Sequence, residues 1–337
     1  MPQISVLLPF RNTEETLDEC LDSIRDQTLG DYELLAVNDH STDGSRQRVA
    51  ARADGDPRIR LIDNRGKGLV DALNSGLHMA KAPLVARMDA DDIMHPERLQ
   101  RQHTHMARHP ELALLGCATR LFPEHLILNG YREYVRWQNS CNTPGQIADE
   151  IYIESPFAHP GVMFRKRCVD LVGGYRDGPF PEDYELWLRL HRTGHAMAKL
   201  PEVLLDWREY PSRTSRVDNR YSREAFDQLR AEYLAQEPRL LKRRRNLAIW
   251  GAGRKTRKRC KPLLRKDFKP VAWIDIDPKK IGNRLEGVPV VSPGWLGQAD
   301  PKPFVLVYVA NHGARELIAR DLHRYGFKRG KDYLMVG

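Results

Sequence analysis

Strand-length apolar runs alternate with helix-length segments over the first hundred residues, and this alternation restricts the chain more than any other feature. Residues 4–8 (ISVLL) form an apolar, β-rich run, and Leu17, Cys20, Leu21 and Ile24 then recur at i, i+3, i+4 and i+7, one face of a helix. Asn12, with Glu15 three residues on, predicts a capped start for that helix. Residues 32–37 and 58–62 read as the second and third strands. Leu69, Ala72, Leu73, Gly76, Leu77 and Ala80 mark the next apolar helical face, and residues 84–88 a fourth strand that runs straight into Asp89. Strands separated by helices imply a mostly parallel sheet covered on both sides, an α/β fold. Such sheets bind ligands beyond the carboxyl ends of their strands, where Asn38, Asp39 and residues 89–92 fall.

A chain of 337 residues is long enough for two domains at roughly 150 residues each. Residues 112–206 are mixed, with a His-Pro-Gly turn, a Gly-Gly pair and a helical stretch around 184–190. A polar helical segment, residues 218–236, leads into the run KRRR at 242–245. The boundary is placed there, giving domains 1–240 and 246–337. The second domain restarts the alternation: strand 246–250, a Gly-Ala-Gly turn, a basic helix, strands 271–276 and 304–309, and helix 314–325. Pro262 predicts a kink in the basic helix, or two short helices.

Charge and composition exclude several classes. With 41% apolar and 29% charged residues the chain reads as soluble and globular, and no apolar run approaches the roughly 20 residues that span a bilayer. The start enters a strand without a charged leader, and the five cysteines are scattered without metal-ligand spacing, so a cytoplasmic protein with reduced thiols is expected. The formal charge is +9, but residues 230–269 alone hold 15 Lys+Arg against 3 Asp+Glu, a local +12 that leaves −3 elsewhere. Basicity therefore belongs to one segment. A solvated face, a peripheral contact with an anionic membrane and a nucleic-acid contact are its three readings; no aromatic-interleaved RNA motif accompanies it, and nucleic acid is not expected.

Three carboxylates in four residues, Asp89, Asp91 and Asp92, stand at a strand end. Packed carboxylates repel unless a proton or a hard cation intervenes, so the group suits a divalent ion bridging phosphates, although an acidic turn in solvent has the same composition. Residues 38–45 (NDHSTDGS) offer polar side chains to a base or ribose, or simply turn chemistry. In residues 64–68 (NRGKG), Asn64, Gly66 and Lys67 precede a helix N-terminus that would receive a pyrophosphate. Glu182 and Asp183 open another helix, as caps or as a general base.

In this order the segments resemble family 2 glycosyltransferases of the GT-A fold. The matching stretches are VLLPFRN from Val6, VNDHSTDGS from Val37, NRGKGLVDALNSGL from Asn64, ARMDADD from Ala86, HPGVMFR from His159 and GGYRDGPFPEDYELWLRL from Gly173. The resemblance covers roughly residues 3–215. It implies inverting transfer of a sugar from a nucleotide diphosphate sugar, with UDP favoured, to a glycan or lipid-linked acceptor in cell-surface polysaccharide synthesis. Pro9, Asn12 and Asp39 would line the nucleoside pocket. Asp89 and Asp91 would be the DxD pair holding Mg²⁺ or Mn²⁺, Asp91 nearest the metal and Asp89 toward the ribose or metal. Asp183 would be the base, with Glu182 as its alternate. Two departures stand out: Asn38-Asp39-His40-Ser41 replaces the usual Asp-Asp-Gly-Ser, and Tyr210 stands where many relatives carry a metal-binding His. A nucleotidyltransferase of similar fold, or a silent binding scaffold, are the rival readings.

The second domain looks like a small Rossmann-type unit. Gly251 and Gly253 supply two glycines of GxGxxG, Thr256 replaces the third, and Asp275 lies 24 positions after Gly251, near where a ribose-binding acid is expected. Nucleotide binding and a docking role both remain open for it.

Overall fold

The computed structural model describes residues 1–309 and 313–337. The chain divides into two compact units, one formed by Met1–Ile147 with Pro156–Asp218, the other by Ala148–Ser155 with Asn219–Gly337.

The first unit is built on eight strands: β1 (Ile4–Phe10), β2 (Tyr32–Asn38), β3 (Ile59–Asp63), β4 (Leu84–Arg87), β5 (Ile93–Met94), β6 (Leu112–Phe122), β7 (Met163–Arg165) and β8 (Ala196–Arg208). Their order is β3-β2-β1-β4-β7-β6-β8-β5. The four N-terminal strands pair in parallel, as the alternation required. β7 runs antiparallel between β4 and β6, and β5 antiparallel on β8. Every residue of β1 and β2 is buried, as expected of strands covered on both faces.

Helix Leu17–Arg25 buries the four residues whose spacing announced it. Its start differs from expectation: the residue before it is Thr16, with no side-chain cap, while Asn12 takes a left-handed backbone (φ 51°) and accepts a hydrogen bond from the Thr42 amide at 2.8 Å. The carboxamide is thus committed to the loop after β2 and is not spent on the helix. Helix Leu69–Met79 lies across β1 and β2 with Gly76 at the closest approach, where a Cβ would collide with Leu7 and come 3.0 Å from Val37 Cγ2.

The second unit holds β9 (Leu247–Trp250), β10 (Pro270–Ile274), β11 (Arg284–Leu285), β12 (Val288–Val291), β13 (Phe304–Val307) and β14 (Tyr333–Met335) in the order β11-β12-β10-β9-β13-β14. All neighbours except β11 and β12 are parallel, so the order doubles back on either side of β9, the doubly wound arrangement. The short strands β11, β12 and β14 were not legible in the sequence. Helix Arg254–Leu264 is continuous through Pro262, contrary to the expected break. Proline falls in its last turn, where it removes one hydrogen bond shortly before the helix ends anyway.

The domain boundary also moves. Residues 242–245 lie inside the second unit, and the division in the chain falls at Asp218. Charge pairing explains the shift: Asp227, on helix Arg223–Leu234, holds Arg230 at 2.8 Å and Arg259 of the basic helix at 3.4 Å. Residues 148–155 join through Tyr152, whose hydroxyl donates to Glu237 at 2.9 Å, and Asp149, 3.1 Å from Arg239. Among the described residues no helix is long and apolar enough to cross a membrane, and all five cysteines are buried thiols.

The close approach at Gly76 gives a direct check on helix packing. Gly76→Ala is expected to destabilise the first unit by about 1–3 kcal/mol through overpacking, despite alanine's better helix propensity. Denaturant unfolding reads it; an unchanged midpoint would contradict this packing.

Candidate active site

β1, β2 and β4 end side by side, and their loops bring two groups of acids to one edge of the sheet. After β2, Asp39 is buried, and its Oδ1 accepts the Asn64 side-chain amide and the Gly68 backbone N–H, both at 2.9 Å. Its Oδ2 lies 3.9 Å from the Arg11 guanidinium at the end of β1. Asn12 and Asn64, both expected on the donor side, have partners here: Asn12 accepts from Thr42, and the buried Asn64 holds Asp39 and accepts from Gly66 N at 3.2 Å. Pro9 is buried within β1, paired in register with Val37. Lys67 is exposed, with its amide bonded to Asp71.

The two unusual residues of this loop have local partners. Asn38 donates to Asp63 at 3.0 Å and accepts the Ser41 amide, so an aspartate there would face another carboxylate. Asp63 titrates at about 2, held down by Arg46 and then by Asn38. His40 adopts the left-handed backbone (φ 56°) that a glycine would supply without strain, and its Nε2 donates to the Gly66 carbonyl at 2.7 Å.

Beyond β4, carboxylate oxygens of Asp89, Asp91 and Asp92 lie within 4.8 Å of one another; among the described residues no other trio of His, Cys or acidic ligands is gathered this way. The sequence pattern had offered all three, and the family resemblance the first and second as the DxD pair; Asp92 joins them in space. Asp91 Oδ2 accepts the Tyr210 hydroxyl at 2.8 Å, and Asp92 Oδ1 accepts the Arg208 amide at 2.7 Å. Asp92 Oδ2 is buried with no hydrogen-bond partner, the kind of atom a hard cation satisfies. Burial, then Asp89, raises the Asp91 carboxyl above its usual range; burial, then Asp91 and Asp89, raises Asp92 well above it. Arg213 acts against both, from a buried position over the Trp207 ring at 4.7 Å. Tyr210 thus supports Asp91 instead of ligating through a ring nitrogen as histidine would.

Glu182 and Asp183 open helix Glu182–Arg192, whose core face carries the fully buried Tyr184 and Trp187. Glu182 is buried, with His159 Nδ1 3.8 Å from its Oε1, while Asp183 keeps part of its surface open. Burial and then the adjacent Glu182 push Asp183 up to about 8. His159 is held well below its usual value by burial and by Arg87, so it is neutral, and its Nε2 is 2.9 Å from the Tyr175 hydroxyl. Arg87, the last residue of β4, is 1% exposed, hydrogen-bonded to Asp89 Oδ1 at 2.6 Å and within electrostatic reach of Glu182 and Asp183. Sequence reasoning passed over Arg87, although one charged residue closing an apolar strand was its signal.

In the second unit Gly251 makes its turn at φ 108°, with Thr256 against it where a third glycine was expected. Asp275 does reach this turn, but both its oxygens are engaged, by the amides of Ala252 and Asp277 and by Lys280. Gly253 precedes the basic helix without a side-chain cap.

Removing one charge from the trio separates repulsion from ligation. Without divalent ions Asp91→Asn is expected to melt at or above the wild-type temperature, and Mn²⁺ to raise the wild-type melt far more than the variant's. Equal stabilisation by Mn²⁺ in a thermal-shift series would contradict a metal role for Asp91.

Residues 5–173 match the family model of glycosyl transferase family 2; the second unit's larger part, from Asn219 on, lies outside the match. The amylovoran biosynthesis glycosyltransferase AmsE of Erwinia amylovora is 40% identical over 204 residues, 60% of this chain and 74% of that protein. Among solved structures, S. aureus TarS 1-349 in complex with UDP-GlcNAc superposes with a TM-score of 0.54 at 16% identity, covering 70% of this chain and 72% of the other. The mannosyltransferase PcManGT from Pyrobaculum calidifontis, in complex with GDP-Man and Mn²⁺, gives 0.51 at 21% identity, covering 79% and 69%. These likenesses show the same fold, and with the sequence matches they lead to one assignment: the chain belongs to glycosyl transferase family 2 and is a glycosyltransferase.

Proposed function

We propose that this glycosyltransferase moves a sugar from a nucleotide diphosphate sugar, UDP-linked in the first instance, to a hydroxyl of a glycan or lipid-linked acceptor, inverting the anomeric carbon. The observation that carries this reading is a carboxylate trio, one member of which is bonded to the buried Arg87, together with a part-exposed acid, Asp183, within electrostatic reach of that same arginine. A role in cell-surface polysaccharide assembly draws support from the name of AmsE, and a nucleotide-sugar donor from the ligands of the two solved neighbours.

Asp39 would meet the nucleoside through the oxygen that Asn64 and Gly68 leave available, in a pocket whose walls include Pro9, Asn12 and the loop of Gly66 and Lys67. Asp89, Asp91 and Asp92 would hold Mg²⁺ or Mn²⁺, which supplies Lewis acidity toward the leaving diphosphate. Asp183 takes the proton of the acceptor hydroxyl while that oxygen bonds to the anomeric carbon and the bond to the diphosphate oxygen breaks. Glu182, buried behind it against His159, keeps the proton affinity of Asp183 high. A nucleotidyltransferase would need no such acid at this place, and would release pyrophosphate instead of a nucleoside diphosphate.

For the second unit we propose docking in place of catalysis, because Asp275 and the Ala252 amide satisfy each other where a dinucleotide would need both. Residues 242–245 line an open cavity of about 390 Å³ with Asn246 and Asp267, a surface suited to anionic headgroups at a membrane face.

Four outcomes are expected. A thermal-shift panel of nucleotide sugars with Mn²⁺ identifies the donor by its stabilisation, and no shift with any of them would remove the reading. Asp183→Asn abolishes transfer while the fold survives; full turnover would end the base assignment. As a base, Asp183 works only when ionised, so its raised value means that kcat/KM climbs with pH to about 8 and is lost below it. Replacing the four cations at 242–245 by glutamine should weaken co-sedimentation with anionic vesicles, and unchanged binding would exclude this run as the contact.

A further inference from the structure

Arg87 is among the largest fully buried side chains of the protein, yet it ends a strand of otherwise apolar residues, and a charge so placed needs partners. One Nη donates to the Met88 carbonyl and the other to Asp89 at 2.6 Å, while Nε is buried without a partner. Its backbone amide donates to the Val162 carbonyl at 2.9 Å, just after the turn His159–Gly161, which fixes the strand against the segment carrying His159. The guanidinium is also within electrostatic reach of Tyr175, Glu182 and Asp183. Two anionic groups from different parts of the chain, the trio after β4 and the pair opening helix Glu182–Arg192, therefore share one buried cation. Asp183 is faced by Glu182 on its own helix, by Arg87 from β4 and by Tyr175 from the segment preceding the helix; His159 touches Glu182 from the turn.

We propose that Arg87 is a positioning residue that orients Asp89 and, by its charge, links the donor side of the site to the base side. The second half rests on the role given to Asp183 above. Hydrogen bonding fixes Asp89 with one oxygen turned to Arg87, leaving the other toward the cluster. The charge offsets part of the mutual repulsion of Glu182 and Asp183, and so lowers the pH at which the acid nearest the surface ionises. Only arginine does both: its planar fork reaches the Met88 carbonyl and Asp89 together, which a lysine ammonium on a single stem does not reproduce.

The test is a carboxyl ¹³C titration of Asp183 in the full chain, without donor or metal, in wild type, Arg87→Lys, Arg87→Gln and Arg87→Met. Loss of the cation should move the Asp183 midpoint upward by about one unit, a ten-fold gain in proton affinity, in the glutamine and methionine variants. Arg87→Lys should keep the wild-type midpoint. Glutamine retains a hydrogen bond toward Asp89, so it decides the matter if the methionine variant does not fold. An unmoved midpoint in a folded neutral variant overturns the proposal, as does an equal upward shift in Arg87→Lys, which would make the effect structural. The titration needs no turnover, so a wild type inactive on every donor would count against the transfer reading alone. Where transfer is measured, the acid limb of kcat/KM should follow the same order, and Arg87→Lys should raise donor KM with its pH limb in place.

Discussion

Three carboxylates within 4.8 Å of one another repel, and the architecture around them is organised to hold them there. Each is tied to a different part of the first unit. Asp89 answers to Arg87 on β4, Asp91 to Tyr210, and Asp92 to the backbone of Arg208 at the end of β8. Arg208 is itself fixed, with its Nε on the Asp91 carbonyl at 2.6 Å and its guanidinium over the Phe122 ring at 4.4 Å. The pairing of β5 with β8 brings that strand end to the acidic loop, across more than a hundred residues of sequence. Burial of β1 and β2 beneath helix Leu69–Met79 in turn fixes the neighbouring strand ends from which the loops project.

Departures from the family pattern fit the same logic of local compensation. Asn38 removes one carboxylate from a loop where Asp63 already lies 3.0 Å away, so that no second acid is placed beside it there. His40 accepts an αL backbone and recovers a hydrogen bond to the glycine-rich loop. Tyr210 replaces ligation by hydrogen bonding to Asp91. None of these substitutions leaves a gap in the site, which weighs against a silent scaffold.

The basic stretch changes meaning once its partners are known. Arg230 and Arg259 share Asp227, Arg239 pairs with Glu237 and Asp149, Arg244 with Asp267, and Lys266 with Glu232. These pairs hold helix Arg223–Leu234 and residues 148–155 within the second unit, while most of the local +12 stays uncompensated. Residues 242–245 line an open cavity, and Arg254, Lys255, Lys258 and Lys261 of the basic helix are exposed as well.

Local pattern was enough for part of this. Periodicity gave β1 to β4 and two of the three helices between them to within a residue or two, because strands buried on both faces read as continuous apolar runs and amphipathic helices as 3.6-residue spacing; helix Ser45–Gly55, with few buried residues, was missed. Motif order was enough for the family and for Asp39, Asp89, Asp91 and Asp183 as candidates. What the sequence could not contain was which distant groups meet. Asp92 has one oxygen held by the Arg208 amide only because β8 ends beside it, Asn64 reaches Asp39 from the loop after β3, and helix Arg223–Leu234 changes unit because Asp227 finds Arg259. Arg87 shows the limit most plainly. Its charge was visible in the chain, but its burial beside Asp89 goes with the antiparallel insertion of β7 beside β4, a pairing made by residues nearly eighty positions apart that no local pattern encodes.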